Sequence, residues 1–228
     1  MTKFSKIIRE NNEKQLIRKF IETFRFKLNK KSNKSKRFTF VLTGGKSPIK
    51  LYKALSKTKK IRWKNVDFFI GDERYVKENS KDSNINLCKK YLLNKIKISS
   101  KQIFKIQTNN KSIKKDAKDY EKKIKNYFLN KKIIFDIILL GIGNDGHIAS
   151  LFKNNINIKS KKIVDYVKKE DFSRITLTIK CINNSRSIFL WAPGKRKSII
   201  IKKLLYGKSS NLPAAYLKEK NNYLFYCY

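Results

Sequence analysis

The sequence predicts an α/β fold, a mostly parallel sheet with helices on both faces. Three observations carry this. Short, near-continuous apolar runs, FTFVL (38–42), VDFFI (66–70), IIFDIILL (133–140) and SIFLWA (187–192), read as strands buried on both faces. They alternate with segments whose apolar residues recur every three or four positions, the mark of amphipathic helices. The first three strands run directly into loops of glycine and polar residues, TGGKS, GDER and GIGNDGH. In open parallel sheets such loops converge on a ligand crevice at the carboxyl ends of the strands, so a Rossmann-like arrangement follows.

Each element has its own local reason. From Asn11 onward, Ile17, Phe20, Ile21, Phe24 and Leu28 describe a helix capped by Asn11 or Asn12, and the polar run KKSNKSKR ends it. After FTFVL, Pro48 suits a first helical turn and starts a helix reaching about Ser56. VDFFI is the next strand, and INLCKKYLL (85–93) forms a helix after the polar KENSKDSN loop. Ile113, Ala117, Tyr120, Ile124 and Tyr127 mark a further helix before IIFDIILL, the strongest strand. IVDYV (163–167) and RITLTI (174–179) read as strands, and SIFLWA leads through PGKRK into a helix over about 197–206. NYLFYCY supplies a terminal strand. No repeat or linker interrupts the pattern, so residues 1–228 are expected to form a single domain.

The 228 residues include 56 Lys and Arg against 17 Asp and Glu, a formal charge of +39. Such a balance ordinarily points to nucleic acid or an anionic surface. Here the lysines occupy nearly every exposed position instead of forming a stripe, and abundant Asn and Ile accompany them, as A/T-rich codon usage would produce. The expectation is nonspecific polyanion association at most, with no specific nucleic-acid partner. Cys88, Cys181 and Cys227 form no CxxC or Cys/His cluster, which argues against zinc and a disulfide framework and for free thiols in a reducing compartment. No segment approaches the roughly 20 apolar residues needed to cross a bilayer, and MTKFSKIIRENNEK lacks a long apolar run. A cytoplasmic location without membrane contact is expected.

The candidate chemistry sits in the strand-end loops. Gly44 and Gly45 form either a tight turn or a place where backbone approaches an anion closely. Arg74 offers a planar donor set suited to phosphate, with Asp72 and Glu73 orienting it or accepting from sugar hydroxyls; the alternative is a solvated acidic-basic turn. Arg174 and Lys197 add positive charge near later strands. His147 is the only histidine and follows the strongest strand. With a reference pKa of about 6.5, its imidazole can take a proton from water near neutral pH, although a lone histidine also serves as a cap or polar filler. Asp145, two residues earlier, either fixes the imidazole tautomer or caps a turn. GIGNDG lacks the G-x-G-x-x-G spacing, and neither a G-x-x-x-x-G-K-[ST] loop nor a G-x-S-x-G elbow is present.

In order along the chain, VLTGGKSPIKLYKAL, IGDERYVKENSKDSNINLC, DIILLGIGNDGHIASLF, RITLT, APGKRK and NLPAAYL closely resemble the 6-phosphogluconolactonase family. The resemblance covers roughly residues 11 to 226 and is most specific in DERYV, DSN and DGHIASLF. It implies the fold shared with glucosamine-6-phosphate isomerase/deaminases and hydrolysis of 6-phospho-D-glucono-1,5-lactone to 6-phospho-D-gluconate, with a sugar-phosphate lactone as the partner and no cofactor or metal. It assigns His147 as general base, with Asp145 and Asn144 shaping its loop. Arg74 and Lys197, helped by Gly44 and Gly45, would bind the phosphate. Arg174 would be a further anion contact, and Asp72 would support Arg74 or touch the sugar. The chain departs from the family pattern at Lys77, where a proline is usual, at Ser80, where a histidine is usual, and at YLFY, which replaces a W-x-x-D pattern with Tyr223 and Tyr226. An aminosugar-phosphate isomerase or deaminase is the nearest alternative, disfavoured by the arginine in GDERYV; a catalytically silent nucleic-acid binder is the second and a structural scaffold, to which nothing positive points, the third.

Overall fold

The computed structural model describes residues 4–32, 37–108, 112–154, 160–207 and 211–228. Strand β1 (Lys6–Glu10) precedes helix α1 (Glu13–Ser32), whose start is capped by Asn12: its side-chain oxygen accepts from the Gln15 amide at 3.0 Å. Residues 33–36 of the polar run after α1 lie outside the described residues. Then come β2 (Phe38–Leu42), α2 (Ile49–Lys57), β3 (Val66–Ile70), β4 (Asp72–Arg74) and α3 (Asn84–Tyr91). They are followed by β5 (Ile103–Phe104), α4 (Ile113–Tyr127), β6 (Ile137–Gly141), β7 (Val164–Val167) and β8 (Arg174–Leu177). Helix α5 (Ile179–Asn183), β9 (Ile188–Pro193), α6 (Ser198–Tyr206) and β10 (Asn222–Cys227) complete the chain.

Seven strands form one sheet in the order β1-β10-β9-β6-β2-β3-β5, every pair parallel. The path turns back between β2 and β6: β3 and β5 lie on one side, β9, β10 and β1 on the other. Loops leaving β2 and β6 therefore diverge, opening a crevice at their carboxyl ends.

Consecutive side chains of a strand point to opposite faces, and Phe68 and Phe69 show both layers. Phe68 packs with Phe40 and Trp63, the layer covered by α1 through Phe24. Phe69 packs with Phe104, Tyr127 of α4 and Phe135 on the other side. Phe20 of α1 sits among Phe189, Trp191 and Phe225 at ring distances of 5.2–5.6 Å. Phe20→Ala should cost about 3–5 kcal/mol, read as a shift in the urea unfolding midpoint.

Two acids, Asp67 in β3 and Asp136 just before β6, anchor the amino end of the sheet. Asp136 accepts from the Thr39 amide at 2.8 Å and hydroxyl at 2.9 Å and pairs with Lys31. Asp67 takes the Arg37 guanidinium and the Tyr127 hydroxyl. Buried carboxylates survive there because each is paired and hydrogen-bonded.

Several expected boundaries shift. The strongest strand spans Ile137–Gly141, not 133–140. RITLTI is a strand only to Leu177, because the Thr178 side chain accepts from the Cys181 amide and caps α5. GDER is not simply a loop: residues 72–74 are β4, which joins β8 and β7 in a separate antiparallel sheet of three strands. All three cysteines are buried free thiols. Among the described residues, no helix is long and apolar enough to cross a membrane.

Candidate active site

Of the ten residues singled out in the sequence, nine (Glu73 is the exception) line one cleft of about 540 Å³ at the β2/β6 divergence. Its floor is the TGGKS loop, which is held at both ends. The Tyr52 hydroxyl donates to the Thr43 carbonyl at 2.6 Å and accepts from the Thr43 amide at 3.0 Å, while the Trp191 indole donates to the Ser47 carbonyl at 3.1 Å. Gly44 lies so close to the buried Asn84 amide that a Cβ there would fall 1.8 Å from Asn84 Oδ1, and Gly45 has φ +80°. Asn84 in turn donates to the Asp72 carbonyl at 2.8 Å, tying this loop to β4.

The GDER segment divides its labour. Glu73 turns away from the cleft and accepts from the Asn84 and Ile85 amides, at 2.7 and 2.8 Å, at the start of α3. Burial, reinforced by neighbouring Asp72, pushes its carboxyl up to about 7 against these hydrogen bonds. Asp72 lines the cleft, accepts from Ser150 Oγ at 2.8 Å and is raised by burial against the pull of Ser150 and nearby cations. The Arg74 charge acts on Asp72, and its guanidinium also donates to the Asp82 carbonyl at 2.7 Å.

The β6 loop carries the imidazole. His147 Nδ1 lies 2.6 Å from Asp145 Oδ1, and that same oxygen accepts from the His147 amide at 3.2 Å. The Asp145 carboxyl sits below its ordinary range: burial raises it, but the contacts with His147 prevail. A carboxylate at Nδ1 requires the proton there, which makes Nε2 the accepting nitrogen. The loop closes through the Gly143 amide, which donates to the His147 carbonyl at 2.8 Å, and the imidazole leans on Phe152 at a ring distance of 4.7 Å. Asn144 accepts from Lys197 Nζ at 3.0 Å, so it joins the imidazole loop to the turn before α6; burial lowers the Lys197 pKa.

Arg174 enters from an unexpected direction. It begins β8 of the small sheet, directly opposite Arg74 in the ladder. Sequence reasoning missed Ser150, Phe152, Lys169 and Asp171, which also line the cleft, and gave Asn84 no individual role. Asn84, Ser150 and Phe152 lie inside the distinctive DSN and DGHIASLF segments; Lys169 and Asp171 belong to a polar run with no local signal. The departures fall outside these contacts. Ser80 accepts from the Asp82 amide and the Asn86 side chain before α3, Lys77 is exposed, and the Tyr226 ring lies tilted against Tyr228 at the end of β10. Among the described residues, no group of three or more His, Cys, Asp or Glu side chains is placed to hold a metal ion.

Fold and cleft together define a class: an α/β protein whose switch-point crevice sets a carboxylate-oriented imidazole among cationic side chains. The family model of glucosamine-6-phosphate isomerases/6-phosphogluconolactonase matches residues 11–226. A 6-phosphogluconolactonase of Haemophilus influenzae is 33% identical over 187 residues, 79% of this chain and 79% of that protein. The crystal structure of 6-phosphogluconolactonase from Thermotoga maritima gives a TM-score of 0.84 at 27% identity, covering 97% of this chain and 99% of that one. The chain belongs to the 6-phosphogluconolactonase family, related to the glucosamine-6-phosphate isomerases and deaminases. A monomeric glucosamine-6-phosphate deaminase shares the fold at 21% identity, with a TM-score of 0.81 over 97% of both chains, so architecture alone does not separate the two activities.

Proposed function

We propose that the chain hydrolyses 6-phospho-D-glucono-1,5-lactone to 6-phospho-D-gluconate, the lactone-opening step of the oxidative pentose phosphate pathway. The observation that carries this reading is the Asp145–His147 contact at 2.6 Å inside a cleft that also holds Arg74, Arg174 and Lys197. The phosphate binds among these cations, with the Gly44–Gly45 turn beneath it, and this remote anchor orients the reacting carbonyl.

Chemistry then needs only an activated water, because an intramolecular ester is already electrophilic. His147 Nε2 takes a proton from water as its oxygen bonds to C1, and the ionised Asp145 stabilises the imidazolium that forms. Collapse of the tetrahedral intermediate breaks the bond from C1 to the ring oxygen, and the imidazolium returns its proton to that oxygen, which leaves as a hydroxyl. The carboxylic acid product ionises, so each turnover releases one proton.

Proton release is therefore the direct assay. Purified protein mixed with freshly generated lactone should accelerate acidification in proportion to protein concentration, above the spontaneous rate. A folded protein that never exceeds that background would refute the activity. Ammonia released from glucosamine 6-phosphate would replace it with the deaminase reading.

A further inference from the structure

Arg74 and Arg174 face one another across the β4–β8 ladder, and directly opposite residues share a face of the sheet. Two like charges so placed destabilise the pair unless something neutralises them. Arg174 has its own counter-charge. Its Nη1 and Nη2 donate to the two carboxylate oxygens of Asp171 at 2.9 and 2.5 Å, and the guanidinium holds that carboxyl far below the usual carboxylate range.

The partners differ in freedom. The Arg174 side chain is 10% exposed, donates also to the Phe172 carbonyl at 2.7 Å and lies against the Phe152 ring. Asp171 is 54% exposed. Both line the cleft, next to Lys169, whose ammonium rests 4.0 Å from the Phe152 ring centre. When another anion competes for Arg174, the carboxylate can move into solvent while the arginine stays.

We propose that Asp171 is a specificity-determining residue: its carboxylate is a resident counter-anion on Arg174 that an incoming phosphate dianion displaces. A ligand carboxylate would merely exchange one two-point contact for another and gain little. A phosphate dianion brings a third acceptor oxygen and a second charge, enough to engage Arg74 and Arg174 together. Asp171 thus makes the cleft selective for doubly charged groups. The inference rests on the lactonase reading only in taking that dianion to be the substrate's phosphate.

The test titrates inorganic phosphate and acetate into wild type, Asp171→Asn and Asp171→Ala by calorimetry, with thermal midpoints confirming folding, and measures KM and kcat for the lactone. Both variants should bind phosphate about five- to tenfold more tightly, with the preference for phosphate over acetate narrowed and the kinetic change confined to KM. Weaker phosphate binding would make Asp171 a support for Arg174, and unchanged binding would make it a bystander; either result overturns the proposal. Calorimetry needs no turnover. Tighter phosphate binding in a protein that opens no lactone would therefore remove the activity reading and leave the anion exchange standing.

Discussion

His147→Ala is expected to lower kcat for lactone opening by about 10²–10⁴-fold, the usual contribution of a positioned proton acceptor. The loss should lie in the chemical step. Arg74, Arg174 and Lys197 reach the cleft from other segments, so phosphate anchoring and hence KM should change little. Because the His147 side chain is 35% exposed, its removal leaves no core cavity, and circular dichroism and the unfolding midpoint should match wild type. NMR supplies a second readout. Asp145 is held below the ordinary carboxylate range, so it stays ionised while the medium is mildly acidified. The carboxylate therefore stays available to the imidazole, and the single histidine of the chain lets NMR detect the hydrogen-bonded Nδ1 proton without ambiguity. A folded variant with wild-type kcat would remove His147 from the chemistry.

Gly143→Ala should cost about 10²-fold in kcat although it adds only one methyl group, to a residue that moves no proton. A Cβ at this position would lie 2.1 Å from His147 Nδ1, 2.3 Å from Cε1 and 2.4 Å from Asp145 Oδ1. No such contact is tolerated, so the imidazole and its carboxylate must separate or shift together. Gly143 is absent from the glycines with positive φ, so alanine strains no backbone and the effect isolates the steric one. Loss of the hydrogen-bonded Nδ1 proton signal should accompany the fall in kcat, with the thermal midpoint little altered. Unchanged kcat with that signal intact would mean that the loop has slack the structure does not display.

These nine cleft-lining residues were legible because seven of them lie in contiguous segments directly after strong strands, where adjacency in sequence becomes adjacency in space. Lys197 and Arg174 were harder. Among 56 basic residues neither has a local distinguishing feature, and only the family resemblance selected them. The same excess hid Lys169, while Asp171 in KKED reads as one more solvated acid until β8 brings it against Arg174.

The chain's own pattern determined the parallel α/β layering, the main helices and the strand-end loops, since each depends on periodicity and turn chemistry within a few residues. It did not determine β1, a short edge strand exposed or half-buried along its length, nor β4, whose DER becomes a strand only by pairing with β8. Tertiary structure alone decided that Arg74 and Arg174 oppose each other, that Glu73 serves α3 while Asp72 faces the cleft, and that Gly143 must be bare. These depend on side-chain direction and on contacts between residues as much as a hundred positions apart, which no local pattern encodes.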